Sequence, residues 1–207
     1  MIYTIEKADR PDLEAVYAEA MDSLDAFFKI NWERNRPEVL LVRDRKTIDA
    51  LKGQESATWV VGWTDTGSVY LLDDRYFEQE SDHKYSAQTY AELLKHELAH
   101  LFTSVVTGGA VKPIWLREGV AIYLSGQYAH RKKPEGFKAF LGFFERGGEG
   151  VYAESGFAVQ FLVERYGRDK FIELLKGSKE HATPESFVAF FRSVYGFDLV
   201  YENFEVL

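Results

Sequence analysis

The segment from residue 90 to residue 123 constrains this chain more than any other stretch. At its centre lies the pentapeptide HELAH, residues 96–100. A helix advances about 100° per residue, so His96 and His100 lie one turn apart on the same helix face. Two imidazoles at this spacing can bind one metal ion without distorting the backbone. Glu97, at the edge of that face, can reach a water on the metal.

A second motif follows at a compatible distance. Glu118 lies 18 positions after His100, within the heptapeptide WLREGVA. A carboxylate here completes a His-His-Glu set and leaves a fourth position open, which distinguishes catalytic from structural zinc sites. Each part has a simpler explanation, because paired histidines also suit a polar helix surface and Glu118 also suits a solvated one. The combination favours a metal site, and Gly119 would let two helices approach closely beside the ligand.

These motifs, joined by a short Gly/Pro loop, resemble the gluzincin (HExxH...E) zinc metallopeptidases, and more narrowly their compact peptidase-MA-like members. The matched motifs cover about residues 86–128, and a looser match covers most of the chain. The resemblance implies a zincin-like fold and one Zn²⁺ per chain. It implies His96, His100 and Glu118 as zinc ligands. It also implies that Glu97 is the general base, which takes a proton from the attacking water and passes it to the leaving amine.

Two further roles have candidates downstream. Tyr152, in the context YAESG, resembles the downstream tyrosine segment of related families and is the candidate oxyanion donor, although a tyrosine here also suits the core. Tyr123 is one position off the face of Glu118 and fits less well. Thermolysin-like relatives carry an Asp four residues after the glutamate ligand, where this chain has Ile122. Glu154 is then the candidate carboxylate that orients the metal-bound histidines.

Composition excludes several classes of function. The 207 residues include no cysteine, so disulfides and thiolate ligands are excluded. With a net charge of -8 and one short basic run at residues 131–133, nonspecific nucleic-acid binding is not expected. No apolar stretch approaches the ~20 residues of a membrane-spanning helix. The predicted partner is a peptide or protein substrate. The chain as it stands predicts a cytoplasmic protein, or a secreted one if a leader has been removed.

Periodicity predicts an α+β fold with a mixed N-terminal part and an all-helical C-terminal part. Residues 11–32 form an amphipathic helix capped by Asp9 or Asp12, residues 73–87 are a polar loop with a solvated His83, and residues 1–6 are a weak strand. Strands are predicted at 38–42, 58–63 and 68–72, the last two forming a hairpin around Gly67. Helices are predicted at 47–51, 87–106, 114–128, 137–144, 151–166, 168–176 and 184–195, with a short helix or extended strap at 198–207.

The whole chain, residues 1–207, is predicted to be one zincin-like metallopeptidase domain. Approximately residues 1–108 form an N-terminal α/β lobe that carries the active-site helix, and residues 109–207 form a helical lobe, with the metal between them. The resemblance assigns residues 68–72 to the strand that pairs with a substrate backbone, because this is the last strand before the active-site helix. An ordinary interior strand fits the same sequence.

Two other functions stay open at this stage. A latent or catalytically silent metal-binding protein of zincin fold would have a regulatory or peptide-binding role, with the N-terminal helix or the C-terminal strap in the cleft. A structural domain with a fortuitous motif would bind no metal. The leading hypothesis is a zinc-dependent endopeptidase or oligopeptidase.

Overall fold

A computed structural model describes residues 4–148 and 150–207, and shows a mixed α/β protein that is mostly helical. The α-helices are α1 (Pro11–Phe28), α2 (Arg45–Lys52), α3 (Phe77–Glu80), α4 (Ala87–Val106), α5 (Ile114–Ser125), α6 (Val151–Tyr166), α7 (Arg168–Gly177) and α8 (Pro184–Tyr195). The strands are β1 (Val39–Val42), β2 (Gly62–Asp65) and β3 (Ser68–Leu72). Short 3-10 helices lie at Asp74–Tyr76, Gln127–His130, Phe140–Gly142 and Tyr201–Asn203. Within the described ranges, every helix is too short or too polar to cross a membrane.

The three strands form one sheet in the order β1-β3-β2. β1 pairs parallel to β3, and β2 pairs antiparallel to β3 through the predicted turn at Gly67. The assignment of residues 68–72 to the substrate-pairing strand is therefore wrong. Both edges of β3 already hydrogen-bond to neighbouring strands, so its backbone has no free donors and acceptors for a peptide. An outer edge of the sheet is instead formed by β2.

The first strand of the hairpin begins at Gly62, later than the predicted 58–63. The preceding residues turn because Arg45 holds their carbonyl groups. Its guanidinium donates to the carbonyl oxygens of Ala57 at 3.2 Å, Thr58 at 3.0 Å and Val60 at 2.7 Å. Carbonyl groups that converge on one guanidinium cannot also alternate across a strand ladder.

The N-terminal helix is shorter than predicted. α1 ends at Phe28 because Lys29 adopts a left-handed conformation with φ of 54°. Its buried face packs on α4, where the Phe28 and Phe102 rings stack with centroids 5.6 Å apart. The weak strand predicted at residues 1–6 lies partly outside the described residues, and residues 4–6 form no strand.

The predicted caps of α1 are also wrong. Arg10 occupies the N-cap position, and no side chain caps the helix there. The Arg10 guanidinium binds Asp12 and, at 2.7 Å, Asp74. Asp12 lies within the first turn of the helix, where it forms an ion pair with Arg10. The loop predicted at residues 73–87 contains the 3-10 helix Asp74–Tyr76 and α3, anchored by the buried Phe77.

Helix α4 lies at the centre of the fold and has the predicted bounds. Ser86 caps it by accepting the Thr89 N–H at 3.1 Å, and the Tyr90 hydroxyl donates to the carbonyl of Leu72 in β3 at 3.0 Å. The helix ends at Val106, and Gly108, with φ of 60°, turns the chain away two residues later. Because α4 is covered by α1, the sheet and α5, most of its side chains are buried.

Helices α5 and α6 approach closely at two glycines. A Cβ on Gly119 would lie 2.6 Å from the carbonyl oxygen of Ser155, and one on Gly156 would lie 2.5 Å from Ile122 Cγ2. The predicted close approach at Gly119 is confirmed, and its partner is α6. α5 stops at Ser125 instead of residue 128 because Gly126 is left-handed, with φ of 86°.

The prediction of a helix at residues 137–144 is wrong, since only the 3-10 helix Phe140–Gly142 forms there. Phe140 is fully buried, with its ring centroid 5.0 Å from both Trp115 and Phe204. This packing holds the segment as a compact loop. Phe204 also fixes the tail, which combines the 3-10 helix Tyr201–Asn203 with extended residues.

Candidate metal centre

The two histidines of α4 and the glutamate of α5 converge on one point. The Nε2 atoms of His96 and His100 are 3.1 Å apart. The Glu118 carboxylate places Oε2 3.6 Å from Nε2 of His96 and Oε1 3.6 Å from Nε2 of His100. One ligand atom from each of the three residues lies within 4.8 Å of the other two. All three side chains are largely buried, with 9%, 7% and 13% of their surface exposed.

The geometry of these atoms fits a small divalent cation. Two nitrogens bound at 2.0–2.1 Å to a tetrahedral zinc ion are about 3.3 Å apart, close to the separations seen here. Two imidazoles and one carboxylate are also the donor types that zinc prefers when no thiolate is present. His96, His100 and Glu118 are therefore able to hold one metal ion and leave further positions for other ligands.

The electrostatics of the three groups agree with this role. Burial lowers the pKa of His100 to about 3, so its imidazole is neutral near pH 7. Burial disfavours the charged form of Glu118, but the neighbouring His100 and His96 outweigh it and lower its pKa to about 2. Burial also acts against a charged His96, yet its contact with Glu118 raises its pKa. Two of the three groups are thus already in the deprotonated form that a cation requires.

Glu97 lies beside this cluster, beneath β2. A Cβ on Gly62 would lie 3.0 Å from Glu97 Oε1, so the absence of a side chain on Gly62 makes room for the carboxylate. Burial raises the pKa of Glu97 to about 7. A carboxylate with such a pKa can both accept and donate a proton near neutrality, which suits a general base/acid.

A cleft of about 510 Å³ opens over the cluster. One wall comes from β2 and the segment before it, the floor from α4 and α5, and the other wall from residues after α5 and the start of α6. The lining residues are Trp59, Val60, Val61, Gly62, Trp63, Thr64, His83, Leu93, His96, Glu97, His100, Arg117, Glu118, Gln127, Arg131 and Tyr152. A second cleft of about 730 Å³, between α1, α7 and α8, contains none of the predicted site residues.

Tyr152 reaches the cleft from the first turn of α6. Burial, and then the charges of Glu118 and Glu97, raise its pKa to about 12, so its phenol is a neutral O–H donor at physiological pH. The Arg131 guanidinium carbon lies 5.8 Å from the centre of its ring. Tyr123, the weaker candidate, packs instead on Tyr128 with ring centroids 5.6 Å apart.

The role predicted for Glu154 is wrong. Its carboxylate accepts the backbone N–H groups of Lys138, Ala139 and Phe140 at 2.8–3.2 Å. It is therefore used to hold the loop before α6 and does not contact the histidines. The Nδ1 atoms of His96 and His100 are buried and have no hydrogen-bond partner among the residues that the structure describes.

Sequence reasoning missed three residues of the cleft. Gly62 was treated only as part of a strand, although a glycine inside a strand pattern signals a close approach. Trp59 lines the cleft and is 57% exposed. Its carbonyl oxygen is 3.0 Å from Nε2 of His83. His83 also lines the cleft but lies outside the His-His-Glu cluster. Arg131 was grouped with the solvated run 131–133. No local pattern distinguishes it from Lys132, so only the fold could place it here.

Comparison of this chain with protein-family models, with curated proteins and with solved structures gave no match. The function is therefore inferred from the residues and their geometry. These are a three-donor cluster from two helices, a buried carboxylate beside it, and a cleft over both that Tyr152 also lines.

Proposed function

We propose that this protein is a zinc-dependent metallopeptidase of the gluzincin type, with a zincin-like fold. His96, His100 and Glu118 hold the metal, and Glu97 is the general base. The observation that carries the proposal is the convergence of three buried donor atoms within 4.8 Å at the floor of an open cleft. A structural zinc site would need a fourth protein ligand, and the described residues bring only three donors together.

The chain's own residues supply the proton transfers. When bound here, zinc would lower the pKa of a water toward ~7 and polarise a peptide carbonyl. Glu97 accepts the proton of the attacking water and later gives it to the nitrogen of the leaving amine. Its pKa of about 7 balances these two tasks, because a much stronger acid would hold the proton too weakly.

Two further elements position the substrate. The outer edge of β2 borders the cleft, and its backbone can add an extended peptide as a further strand. From the opposite wall, the phenol of Tyr152 donates a hydrogen bond to the oxyanion that develops as the carbonyl is attacked. The scissile bond then lies between β2 and α6, above Glu97.

Replacement of Glu97 by Gln tests the mechanism. Gln has the same shape but cannot accept the proton, so Glu97→Gln should retain about one zinc per chain and lose peptide hydrolysis by at least ~10²-fold. Glu164→Gln, the same change at an exposed position of α6, should leave both properties unchanged. Zinc-loaded wild type and both variants are compared on a broad peptide library with mass-spectrometric detection. Cleavage by Glu97→Gln at the wild-type rate would exclude this mechanism.

The silent metal-binding alternative is tested by the same library. The residues that line the cleft include none from α1 or from residues 198–207, so neither segment fills it as that alternative supposed. Phe204 instead packs on Phe140 and Phe161, with centroids 5.0 and 5.4 Å away. Any cleavage that depends on Glu97 would rule out a purely binding role.

A further inference from the structure

The cleft does not share the negative charge of the protein. The chain carries 33 acidic and 25 basic residues, a net charge of -8. Among the described residues that line the cleft, however, the only carboxylates are Glu97 and Glu118, which the proposed chemistry already uses. Two arginines, Arg117 and Arg131, line it as well. These four side chains carry no formal net charge, so a divalent metal would make the cleft positive.

Arg131 is held at the wall of the cleft by its backbone and by Tyr152. It follows the 3-10 helix Gln127–His130, and its N–H donates to the carbonyl of Tyr128 at 3.0 Å. Its guanidinium carbon lies 5.8 Å from the centre of the Tyr152 ring. The planar cation is therefore placed beside the proposed oxyanion donor, where substrate atoms on that side of the scissile bond must pass.

Neither cleft arginine has an acidic partner among the residues that the structure describes. By contrast, Arg10, Arg75 and Arg168 each pair with a neighbouring carboxylate. Burial by surrounding groups lowers the pKa of Arg131, although a guanidinium stays charged at any physiological pH. Much of the Arg131 side chain is exposed, so a bound carboxylate can reach its planar fork and accept two parallel N–H bonds from it.

Among the described residues, the opposite wall of the cleft contains no arginine or lysine that could bind a carboxylate. It is formed by Trp59, Val60, Val61 and Trp63, and by His83, whose Nε2 is 3.0 Å from the carbonyl oxygen of Trp59. Rings and aliphatic groups there suit an apolar side chain. The wall formed by β2 and the segment before it is therefore largely apolar, while Arg117 lies on the floor and Arg131 on the other wall. Apart from the metal site, these two arginines are where a bound peptide would favourably place a negative charge.

We propose that Arg131, assisted by Arg117, is a specificity-determining residue that binds a carboxylate of the substrate. The preferred peptides carry this carboxylate close to the cleaved bond, either as an Asp or Glu side chain or as the free C-terminus. This inference rests on the proposed function for its substrate class, but its test is a binding measurement and does not need turnover.

The test uses zinc-loaded Glu97→Gln protein and fluorescent randomised heptapeptide libraries in matched forms. One pair has a fixed central Glu or Gln, and a second pair has a free or an amidated C-terminus. Each library is titrated against the protein with Arg131 intact, with Arg131→Gln and with Arg131→Lys. Lys132→Gln is the control, since it removes the same charge from an adjacent exposed residue that does not line the cleft.

We expect one carboxylate form to bind roughly 10- to 100-fold more tightly than its neutral partner, the usual range for a charge-assisted hydrogen bond. Arg131→Gln should remove this preference, Arg131→Lys should restore part of it, and Lys132→Gln should keep it. The pair of libraries that shows the preference identifies the source of the carboxylate. Binding to the neutral libraries should not change in any variant.

Two results would overturn the inference. If the carboxylate preference survives Arg131→Gln, the carboxylate binds the metal itself. If Arg131→Gln weakens binding to all libraries equally, Arg131 only positions Tyr152. Failure of the proposed function would give a different result from failure of this inference. Wild type would then cleave no peptide, while the ratio of Kd values between carboxylate and neutral libraries would still show whether Arg131 binds a carboxylate.

Discussion

Replacement of Gly119 by Ala should destabilise the protein, although Ala is the better helix former. Gly119 follows the proposed ligand Glu118 in α5 and faces α6. A Cβ there would lie 2.6 Å from the carbonyl oxygen of Ser155 and 2.7 Å from Val159 Cγ2. One neighbour is backbone and the other a β-branched side chain in a helix, which has one preferred χ1 rotamer. Neither can move aside without a shift of α6.

The magnitude follows from two opposing terms. Ordinary contacts of a Cβ begin near 3.4 Å, so α5 and α6 would have to separate by several tenths of an ångström. Overpacking costs about 1–3 kcal/mol, and a Cβ only 2.6 Å from a backbone oxygen places this site in the upper part of that range, at about 2–3 kcal/mol. Ala gains roughly 1 kcal/mol over Gly inside a helix. The net loss is about 1–2 kcal/mol, or roughly 2–8 °C in Tm for a chain of this size.

The assay is thermal and urea unfolding in the presence of a chelator, so that metal affinity does not contribute to the measured stability. Gly136→Ala is the matched control, because a Cβ there meets nothing within 4 Å. It should stay within about 0.5 kcal/mol of wild type. A Gly119→Ala protein as stable as wild type would refute the packing argument, since the helix-propensity gain would then be unopposed.

Three further predictions follow from the site and its surroundings. Glu118→Ala should lower the metal content from about one zinc per chain to much less, because two histidines alone bind zinc weakly. The metal content is measured by elemental analysis after dialysis against metal-free buffer. Equal content in wild type and variant would show that Glu118 is not a ligand. Gly62→Ala should reduce the proposed hydrolysis by roughly 10-fold or more without loss of zinc, because its Cβ would lie 3.0 Å from Oε1 of Glu97 and displace this proposed general base. Unchanged kcat at unchanged metal content would contradict this placement. The Asp73 side chain is buried, which opposes ionisation, but hydrogen bonds from Arg75, including Nε to Oδ1 at 2.9 Å, outweigh burial and lower its pKa. The ionised form therefore stabilises the fold above about pH 4, and this stabilisation is lost as pH falls through the lowered pKa. Asp73→Asn should cost about 1 kcal/mol at pH 7 in urea unfolding and progressively less at lower pH; a constant difference down to pH 2 would argue against the ion pair.

The sequence by itself predicted the features that depend on local geometry. The spacing of His96 and His100 sets their common face, because the helix repeat alone decides which side chains align. The bounds of α4 and α6 followed from apolar periodic runs that end at glycines. The convergence of Glu118 with the histidines was also expected from the sequence, and the geometry places these three donors together.

Only the tertiary structure decided which residues meet across long distances in the chain. β3 became the central strand because β2 and β1 pair with its two edges, and strand order is not encoded in any one strand. Glu154 was expected at the histidines, but the N–H groups of the loop before α6 lie closer and take its carboxylate. Arg131 lines the cleft because the 3-10 helix after α5 turns the chain toward α6. A loop cation has no periodicity, so contacts between distant segments determine its neighbours.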